Sequence, residues 1–351
     1  MDAAAYFAAA RQAFAAAAAA APGPRLDLSL ADRPLHLAFA DGPLPALLGP
    51  AFRHRPPSPA GAPGLTVRCW HGTAHAPPPW PRGGGGPENL VRRSPDGRFV
   101  AVLSVVGGSL ALLDAAGDEA CYWVPDPAAL PVWERSHPLD RILAHWHGRQ
   151  GATMIHAGAV GTEEAGLLLV GRGGSGKSTS ALACLDSPLS LVSDDYVMVA
   201  EEGGPGGRPV AHGVYGSVQI HAEHRARFPR LLPALDNAAA AGTEKPMMWL
   251  AERRPGAMRP STKLAAIVVP RVVGNGPARW HPVSPAAALQ ALAPSSMLQL
   301  GTGGPATFAR MAGWCRTLPC YGLEIGAGID DLPERLGEIL AAAASGRRAA
   351  Q

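Results

Sequence analysis

The sequence of 351 residues predicts two domains, a smaller and mostly β domain over residues 1–150 and an α/β domain over residues 151–351. In the first part, short runs alternate apolar and polar residues, as half-buried strands do. In the second part, continuous apolar runs of strand length alternate with helical patterns, which is typical of α/β domains. Residues 171–178, Gly-Arg-Gly-Gly-Ser-Gly-Lys-Ser, match G-x-x-x-x-G-K-[ST] without a break and lie between a predicted strand and a predicted helix.

Composition and charge restrict the class of protein. A hydrophobic fraction of 47% is ample for two cores. The net charge of +3 is small, and no five or six like charges follow one another, so neither a nucleic-acid partner nor an anionic membrane is indicated. The five cysteines are odd in number and form no C-x-x-C pair, which predicts reduced thiols in a cytoplasmic protein. Whether the chain forms a homo-oligomer stays open.

The elements of the first domain follow from periodicity. An alanine-rich helix is predicted over residues 3–21, and Phe7 and Phe14 share one of its faces. Asp2 stands where a signal peptide has basic residues, so we expect this helix to pack on its own domain; membrane association is the alternative. The remaining predictions are strands at 25–30, 34–39, 65–70 and 120–124, a hairpin of 99–103 with 110–113, a flexible loop over 75–88 and a helix at 139–147. No residue of this domain has catalytic spacing.

The second domain is predicted to alternate strands and helices around the glycine-rich loop. The strand before the loop, 165–170, is expected to pair with an apolar strand at 154–160, and a helix at 178–185 follows the loop. The other predicted elements are strands at 189–197, 263–270 and 320–325 and helices at 284–292, 305–315 and 331–344.

The glycine-rich loop has a defined chemistry. Its glycines free backbone N–H groups to surround the phosphates of a nucleotide, Lys177 reaches the outer phosphates, and the Ser178 hydroxyl binds Mg²⁺. A glycine-rich turn that matches by chance is the alternative. The predicted nucleotide-binding residues are Gly171, Gly173, Gly174, Ser175, Gly176, Lys177, Ser178 and Thr179.

Two adjacent carboxylates end the predicted strand that follows the loop. One of Asp194 and Asp195 can hold Mg²⁺ while the other accepts a proton from an attacking hydroxyl. The alternative is a single functional aspartate with a solvated neighbour, because successive strand residues point in opposite directions. His156 lies in an apolar strand, and by itself this position indicates an ordinary core histidine.

Taken in order, the three segments resemble one known catalytic core. Met-Ile-His-Ala-Gly-Ala-Val at 154–160, the loop at 171–178 and Leu-Val-Ser-Asp-Asp-Tyr-Val at 191–197 are similar to the HPr kinase/phosphorylase family, and more distantly to the ATP-type phosphoenolpyruvate carboxykinases. The resemblance is good over residues 150–200 and weaker to residue 345. It implies that the α/β domain is a P-loop kinase domain of the HPr kinase/phosphoenolpyruvate carboxykinase-like type.

The resemblance also implies roles for single residues. The loop glycines and Lys177 would hold the phosphates of ATP, and Ser178 and Asp195 would form the Mg²⁺ site. Asp194 would be the general base toward a serine hydroxyl, and His156 matches the histidine of the family's active site. Lys245 stands where the family has a mobile loop with a basic residue; an exposed lysine beside a proline is an equally good description.

The sequence also departs from that family. Its Arg-, Gly- and Leu-rich signature segment is replaced here by Gly-Val-Tyr-Gly-Ser-Val-Gln-Ile at 213–220, and the first domain does not match the family's regulatory domain. Phosphorylase activity and HPr as the substrate are therefore not implied. The layout looks like shorter HPr-kinase-like serine kinases, some of which modify ribosomally made peptides such as lasso peptides.

The leading hypothesis is an ATP- and Mg²⁺-dependent kinase that phosphorylates a serine on a peptide or small protein, with acceptor contacts in the first domain. A nucleotide-binding regulatory module without turnover and a small-molecule kinase remain as alternatives. The paired aspartates favour the enzyme, because binding alone needs no base. The sequence leaves the acceptor, the choice between ATP and GTP, and phosphorylase activity open.

Overall fold

A computed structural model describes residues 2–79, 89–220, 227–236, 246–302 and 304–350. The fold is mixed α/β, and the chain divides into two compact units, Met1–Gln150 and Gly151–Gln351. None of the helices in the described ranges is both long and apolar enough to cross a membrane.

The first unit is built on one seven-stranded sheet in the order β1-β2-β3-β7-β6-β5-β4. Its strands are β1 (Pro22–Leu30), β2 (Arg33–Ala40), β3 (Leu65–His71), β4 (Asn89–Arg93), β5 (Phe99–Ser104), β6 (Leu110–Asp114) and β7 (Glu119–Val124). The predicted hairpin of β5 and β6 is confirmed, with Ala101 opposite Leu112. Strand β3 pairs in parallel with both β2 and β7, and the other pairs are antiparallel.

Helix α1 (Ala3–Ala20) packs on this sheet, as its apolar face predicts. Phe7 is 5% exposed and lies with its ring centroid 6.0 Å from that of Phe99, while Phe14 contacts the ring of Trp70. The other helices of this unit are α2 (Leu44–Leu48), α3 (Val132–Ser136) and α4 (Asp140–Arg149). The sequence did not indicate β4 or the five-residue helices α2 and α3. Of the predicted loop at 75–88, residues 80–88 lie outside the described residues.

The second unit contains an eight-stranded mixed sheet and a small two-stranded one. Its strands are β8 (Thr153–Gly161), β9 (Gly166–Val170), β10 (Ser190–Ser193), β11 (Tyr196–Glu201), β12 (Pro209–Gly213), β13 (Ser217–Gln219), β14 (Met247–Trp249), β15 (Ser261–Val272), β16 (Arg279–Pro282) and β17 (Cys320–Ile325). Strand β8 pairs antiparallel with β9, as predicted, and also with β10 and β11. Strand β15 pairs in parallel with both β9 and β17.

Helices cover both faces of the larger sheet, which explains the uninterrupted apolar runs of its strands. The helices are α5 (Lys177–Ala183), α6 (Leu250–Arg253), α7 (Pro285–Leu300), α8 (Pro305–Thr317) and α9 (Leu332–Ala350). Successive residues of β9 point to opposite faces. Leu167 and Leu169 pack in a core with α5 and α9, while Leu168 and Val170 pack in a core with α7 and α8.

Two predicted elements of this unit differ from the structure. The single strand predicted over 189–197 is two strands, β10 and β11, which are separated by Asp194 and Asp195. The helix predicted over 284–292 continues to Leu300 and contains Pro294. The break in the strand positions the candidate site.

Candidate functional site

The glycine-rich loop connects β9 to α5 in a conformation that three of its glycines make possible. Gly171, Gly174 and Gly176 have φ values of 154°, 75° and 105°. This region favours glycine because a side chain would clash with the backbone. A Cβ atom on Gly176 would also lie 2.3 Å from Cδ1 of Ile325, at the end of β17. The motif is therefore required here by backbone geometry as well as by packing.

Replacement of Gly176 by Ala is expected to lower the free energy of unfolding by about 1–3 kcal/mol, because a residue with a side chain would be strained at this φ. Gly173→Ala is the matched control, since a Cβ atom there would meet nothing within 4 Å. Urea unfolding of the two variants measures the difference. Equal stability of the two would show that the loop relaxes without strain.

Lys177, the first residue of α5, lies folded back over the loop. Its side chain is 5% exposed, and its ammonium group donates hydrogen bonds to the carbonyl oxygens of Gly171 at 2.8 Å and Arg172 at 3.3 Å. A buried ammonium requires partners of this kind. The charge is thus held at the centre of the loop, where the motif predicts the outer phosphates of a nucleotide.

Asp194 occupies the break between β10 and β11 and is buried, with 2% of its surface exposed. Its Oδ2 accepts a hydrogen bond from the backbone N–H of Gln219 at 3.2 Å. Its Oδ1 is buried and meets no donor at hydrogen-bond geometry among the described residues. One oxygen of the Asp194 carboxylate is therefore available to a ligand. The carboxylate lies beside the loop, close enough for Ser178 and Lys177 to lower its pKa.

Burial, and to a smaller extent the negative charge of Asp195, raise the pKa of Asp194 to about 6. The Ser178 hydroxyl, the Gln219 N–H and the Lys177 ammonium act in the opposite direction but do not compensate. Ionisation of Asp194 therefore costs more free energy in the folded chain than in the unfolded chain. The stability of the fold falls as the pH rises from the usual pKa near 4 to about 6.

In the ligand-free protein, Asp194→Asn is expected to raise the free energy of unfolding above that of the wild type, and to do so more at pH 8 than at pH 4. The raised pKa gives the wild type a contribution to stability that is present below pH 4 and lost as the pH rises through about 6, because the buried carboxyl then becomes charged. The amide of Asn does not ionise over this range. The gain amounts to about 2–3 kcal/mol. Urea unfolding at both pH values measures it, and Asp330→Asn, at an exposed position, is the control. A pH-independent difference would contradict the assignment.

Asp195 pairs with His156. Oδ1 of Asp195 lies 2.8 Å from Nε2 of His156, and the side chains of His156 and Asp195 are 9% and 26% exposed. The backbone fixes both partners, because the Asp195 carbonyl accepts from Ala157 N at 3.0 Å and the His156 N–H donates to Oγ of Ser296 at 3.2 Å. A histidine that holds a carboxylate in this way orients it for proton transfer.

An aromatic wall continues from this pair. The ring centroids of His156 and Tyr196 are 5.9 Å apart, and those of Tyr196 and Tyr215 are 6.2 Å apart. These tyrosines, together with Ser296 and Gln219, were not identified from the sequence. Tyr196 directly follows the two aspartates and could have been inferred from them. Ser296 could not, because it lies on α7, far along the chain from the His156 N–H of β8 that it contacts.

The structure brings most of the predicted residues together around one break in the sheet. Asp194 lies close enough to Lys177, Ser178 and Asp195 for all three to shift its pKa, and Asp195 contacts His156. Ser178 is half-buried and Thr179 is buried on α5. Lys245 lies outside the described residues.

The oxygen donors at this site suit a Mg²⁺ ion. Mg²⁺ is usually bound by one or two carboxylates together with substrate phosphates. The free Oδ1 of Asp194 next to Ser178 fits that pattern. Within the described residues no cluster of three or more His, Cys, Asp or Glu side chains forms a complete protein cage for a metal.

Comparison with known proteins gives similarity to solved structures alone, and it is distant. No protein-family model matches the chain, and no curated protein matches it in sequence. Among solved structures it is similar to the Hpr(Ser) kinase/phosphatase from Coxiella burnetii, with 12% identity and a TM-score of 0.32 over 56% of this chain and 96% of that chain. At this distance, only the geometry of the chain's own residues supports a functional argument.

Proposed function

We propose that the chain is an ATP- and Mg²⁺-dependent kinase that transfers the γ-phosphoryl group to a serine hydroxyl of a peptide or small protein. The observation that carries this proposal is the placement of two carboxylates, one against the glycine-rich loop and the other on a histidine. Phosphoryl transfer needs little covalent chemistry from the protein. It needs one carboxylate near the phosphates to hold the metal ion and a second near the attacking hydroxyl.

The contacts favour roles for the two carboxylates that are the reverse of those predicted from the sequence, in which Asp194 was the general base and Asp195 the Mg²⁺ ligand. Asp194 is buried beside Ser178, with one oxygen available, so it is the better ligand for Mg²⁺. Asp195 is more exposed and is oriented by His156, so it is the better acceptor for the proton of an attacking hydroxyl. When bound, Mg²⁺ supplies charge neutralisation to the transferred group.

The residues of the chain then act in sequence around the bound nucleotide. The loop N–H groups and Lys177 would hold its phosphates, and Asp194 and Ser178 would hold the ion. The Asp195 carboxylate takes the serine proton as the oxygen attacks, while the hydrogen bond from His156 keeps its Oδ1 in place. Tyr196 follows Asp195, and its ring lies between those of His156 and Tyr215. These rings would form the wall along which the acceptor enters.

A regulatory module that binds ATP without turnover is the competing function. The experiment is mass spectrometry of serine-bearing peptides after incubation with ATP and Mg²⁺, alongside measurement of ATP consumption. Because water competes with the acceptor, slow ATP hydrolysis is expected without a peptide and phosphate transfer with the right one. If ATP binds but is never consumed, and no acceptor gains phosphate, the regulatory module is the correct description.

A further inference from the structure

The glycine-rich loop follows a strand that has a different neighbour on each side. Strand β9, which leads into the loop, pairs with β8 on one side and with β15 on the other. The two carboxylates of the candidate site belong to the β8 side, because Asp194 and Asp195 lie between β10 and β11, which both pair with β8. Phosphoryl transfer takes place at the outermost phosphate, so in the proposed kinase that phosphate faces these carboxylates. The sugar and base of the nucleotide would therefore extend over the β15 side.

On the β15 side, the parallel strands β15 and β17 are both followed by short uncharged segments. Residues 272–276 are Val-Val-Gly-Asn-Gly, and residues 326–329 are Gly-Ala-Gly-Ile. Hydrogen bonds hold the two strand ends together, because the Ile325 carbonyl accepts from Val273 N at 2.9 Å and from Gly274 N at 3.2 Å. Ligands of open α/β sheets bind outside the carboxyl ends of the strands, which is where these segments lie.

Val272, the last residue of β15, connects these segments to the loop. Its Cγ2 lies 3.4 Å from the position that a Cβ atom on Gly176 would take. Val272 is nevertheless 38% exposed, and Ala327 and Gly328 on the neighbouring segment are exposed as well. We refer to Val272, Ala327 and Gly328 as the apolar shelf. Exposed apolar residues that lie together mark an interaction site more often than scattered ones do.

The apolar shelf differs in charge from the phosphate end of the site. Lys177 holds its charge within the loop, whereas Arg271, next to Val272, forms a surface pair with Glu324. The shelf therefore offers apolar contact and not a second phosphate site. It also has room for a ligand, because a Cβ atom on Gly328 would meet nothing within 4 Å. A flat nucleobase suits such a surface, since every base presents the face of a ring.

We propose that the apolar shelf binds the base of the nucleotide whose phosphates lie in the glycine-rich loop. This inference rests on the proposed function and adds a second contact region to it, on the side of the loop away from the reacting carboxylates. The competing occupants are an apolar side chain of the acceptor peptide and a second copy of the chain. With either of these, changes to the shelf would leave ATP binding as it is.

Two variants test the shelf on the full chain, by calorimetric titration in Mg²⁺ with ATP and with inorganic tripolyphosphate, which has the phosphates but not the base. Gly328→Leu places a side chain in the open space beside the shelf and is expected to weaken ATP binding about tenfold or more. Val272→Ser removes apolar contact and is expected to weaken ATP binding about threefold to tenfold. Neither variant is expected to change the binding of tripolyphosphate.

Each variant has a control with the same substitution elsewhere. Gly313→Leu, on α8, adds a side chain where a Cβ atom also meets nothing within 4 Å. Val106→Ser, in the first unit, changes a valine that is 65% exposed. Both controls should bind ATP and tripolyphosphate like the wild type.

Wild-type affinity for ATP in either shelf variant would overturn the proposal. An equal loss of affinity for ATP and tripolyphosphate would also overturn it, because the variants would then act on the loop. The outcome is separable from the kinase proposal. A selective loss of ATP affinity in a protein that never consumes ATP removes only the kinase, and peptide phosphorylation with unchanged ATP binding in both variants removes only the shelf. If the wild type binds neither ligand, both proposals fail.

Discussion

Replacement of Lys177 by Ala is expected to abolish ATP turnover, with a loss of roughly a thousandfold or more, while the fold is retained. The ammonium is the positive charge that the structure holds at the centre of the glycine-rich loop, on the carbonyls of Gly171 and Arg172. A neutral side chain leaves the phosphates without that charge as the phosphoryl group departs.

The measurement is ATP hydrolysis by the purified variant, together with its far-UV circular dichroism. Lys263→Ala removes a lysine of the same unit that forms a surface pair with Glu202, and it should keep full turnover. Wild-type turnover in Lys177→Ala would refute the nucleotide site at this loop.

The second large effect separates the two carboxylates. Asp195→Asn is expected to lower phosphoryl transfer to a serine peptide by roughly two or more orders of magnitude, with little change in nucleotide affinity, because the proton acceptor is lost. Asp194→Asn is expected to lower transfer as well, but its principal effect should be a higher Mg²⁺ concentration for half-maximal activity, since it replaces the carboxylate beside Ser178 with a neutral amide.

Titration of activity with Mg²⁺ in both variants measures this difference. If Asp194→Asn loses transfer at saturating Mg²⁺ and Asp195→Asn shifts only the Mg²⁺ dependence, the roles predicted from the sequence are correct and those favoured by the contacts are wrong. If both variants remain fully active, the aspartates are structural and the kinase proposal fails.

Much of the fold could be predicted because its signals are local. The alternation in β5 and β6, the apolar run of β9 and the face of α1 each depend on a few consecutive residues. The short strands β12, β13 and β14 could not be predicted, since their pairing partners, not their sequences, hold them extended. The length of α7 beyond Pro294 was also missed, because proline normally ends a helical pattern.

The candidate site was predicted as a set of residues but not as an arrangement. The sequence identified Lys177, Ser178, Asp194 and His156 by type and order. The distribution of partners depends on the break between β10 and β11, which turns one aspartate toward α5 and the other toward β8. The sequence pattern does not indicate the break, because residues 189–197 read as one continuous strand that includes both aspartates. Gln219 and Ser296 come from distant parts of the chain and have no motif of their own.

The pairing of β15 has a consequence for biosynthesis. Strands β9 and β17 stand at opposite ends of the second unit in sequence, yet both flank β15 in parallel, and Ile325 at the end of β17 packs against Gly176 in the loop. Such contacts between distant segments form slowly, since loop closure must precede them. While the ribosome is still translating the region before β17, the glycine-rich loop lacks its neighbour. If the loop binds a nucleotide as proposed, nascent chains are expected to acquire that binding only after β17 has emerged.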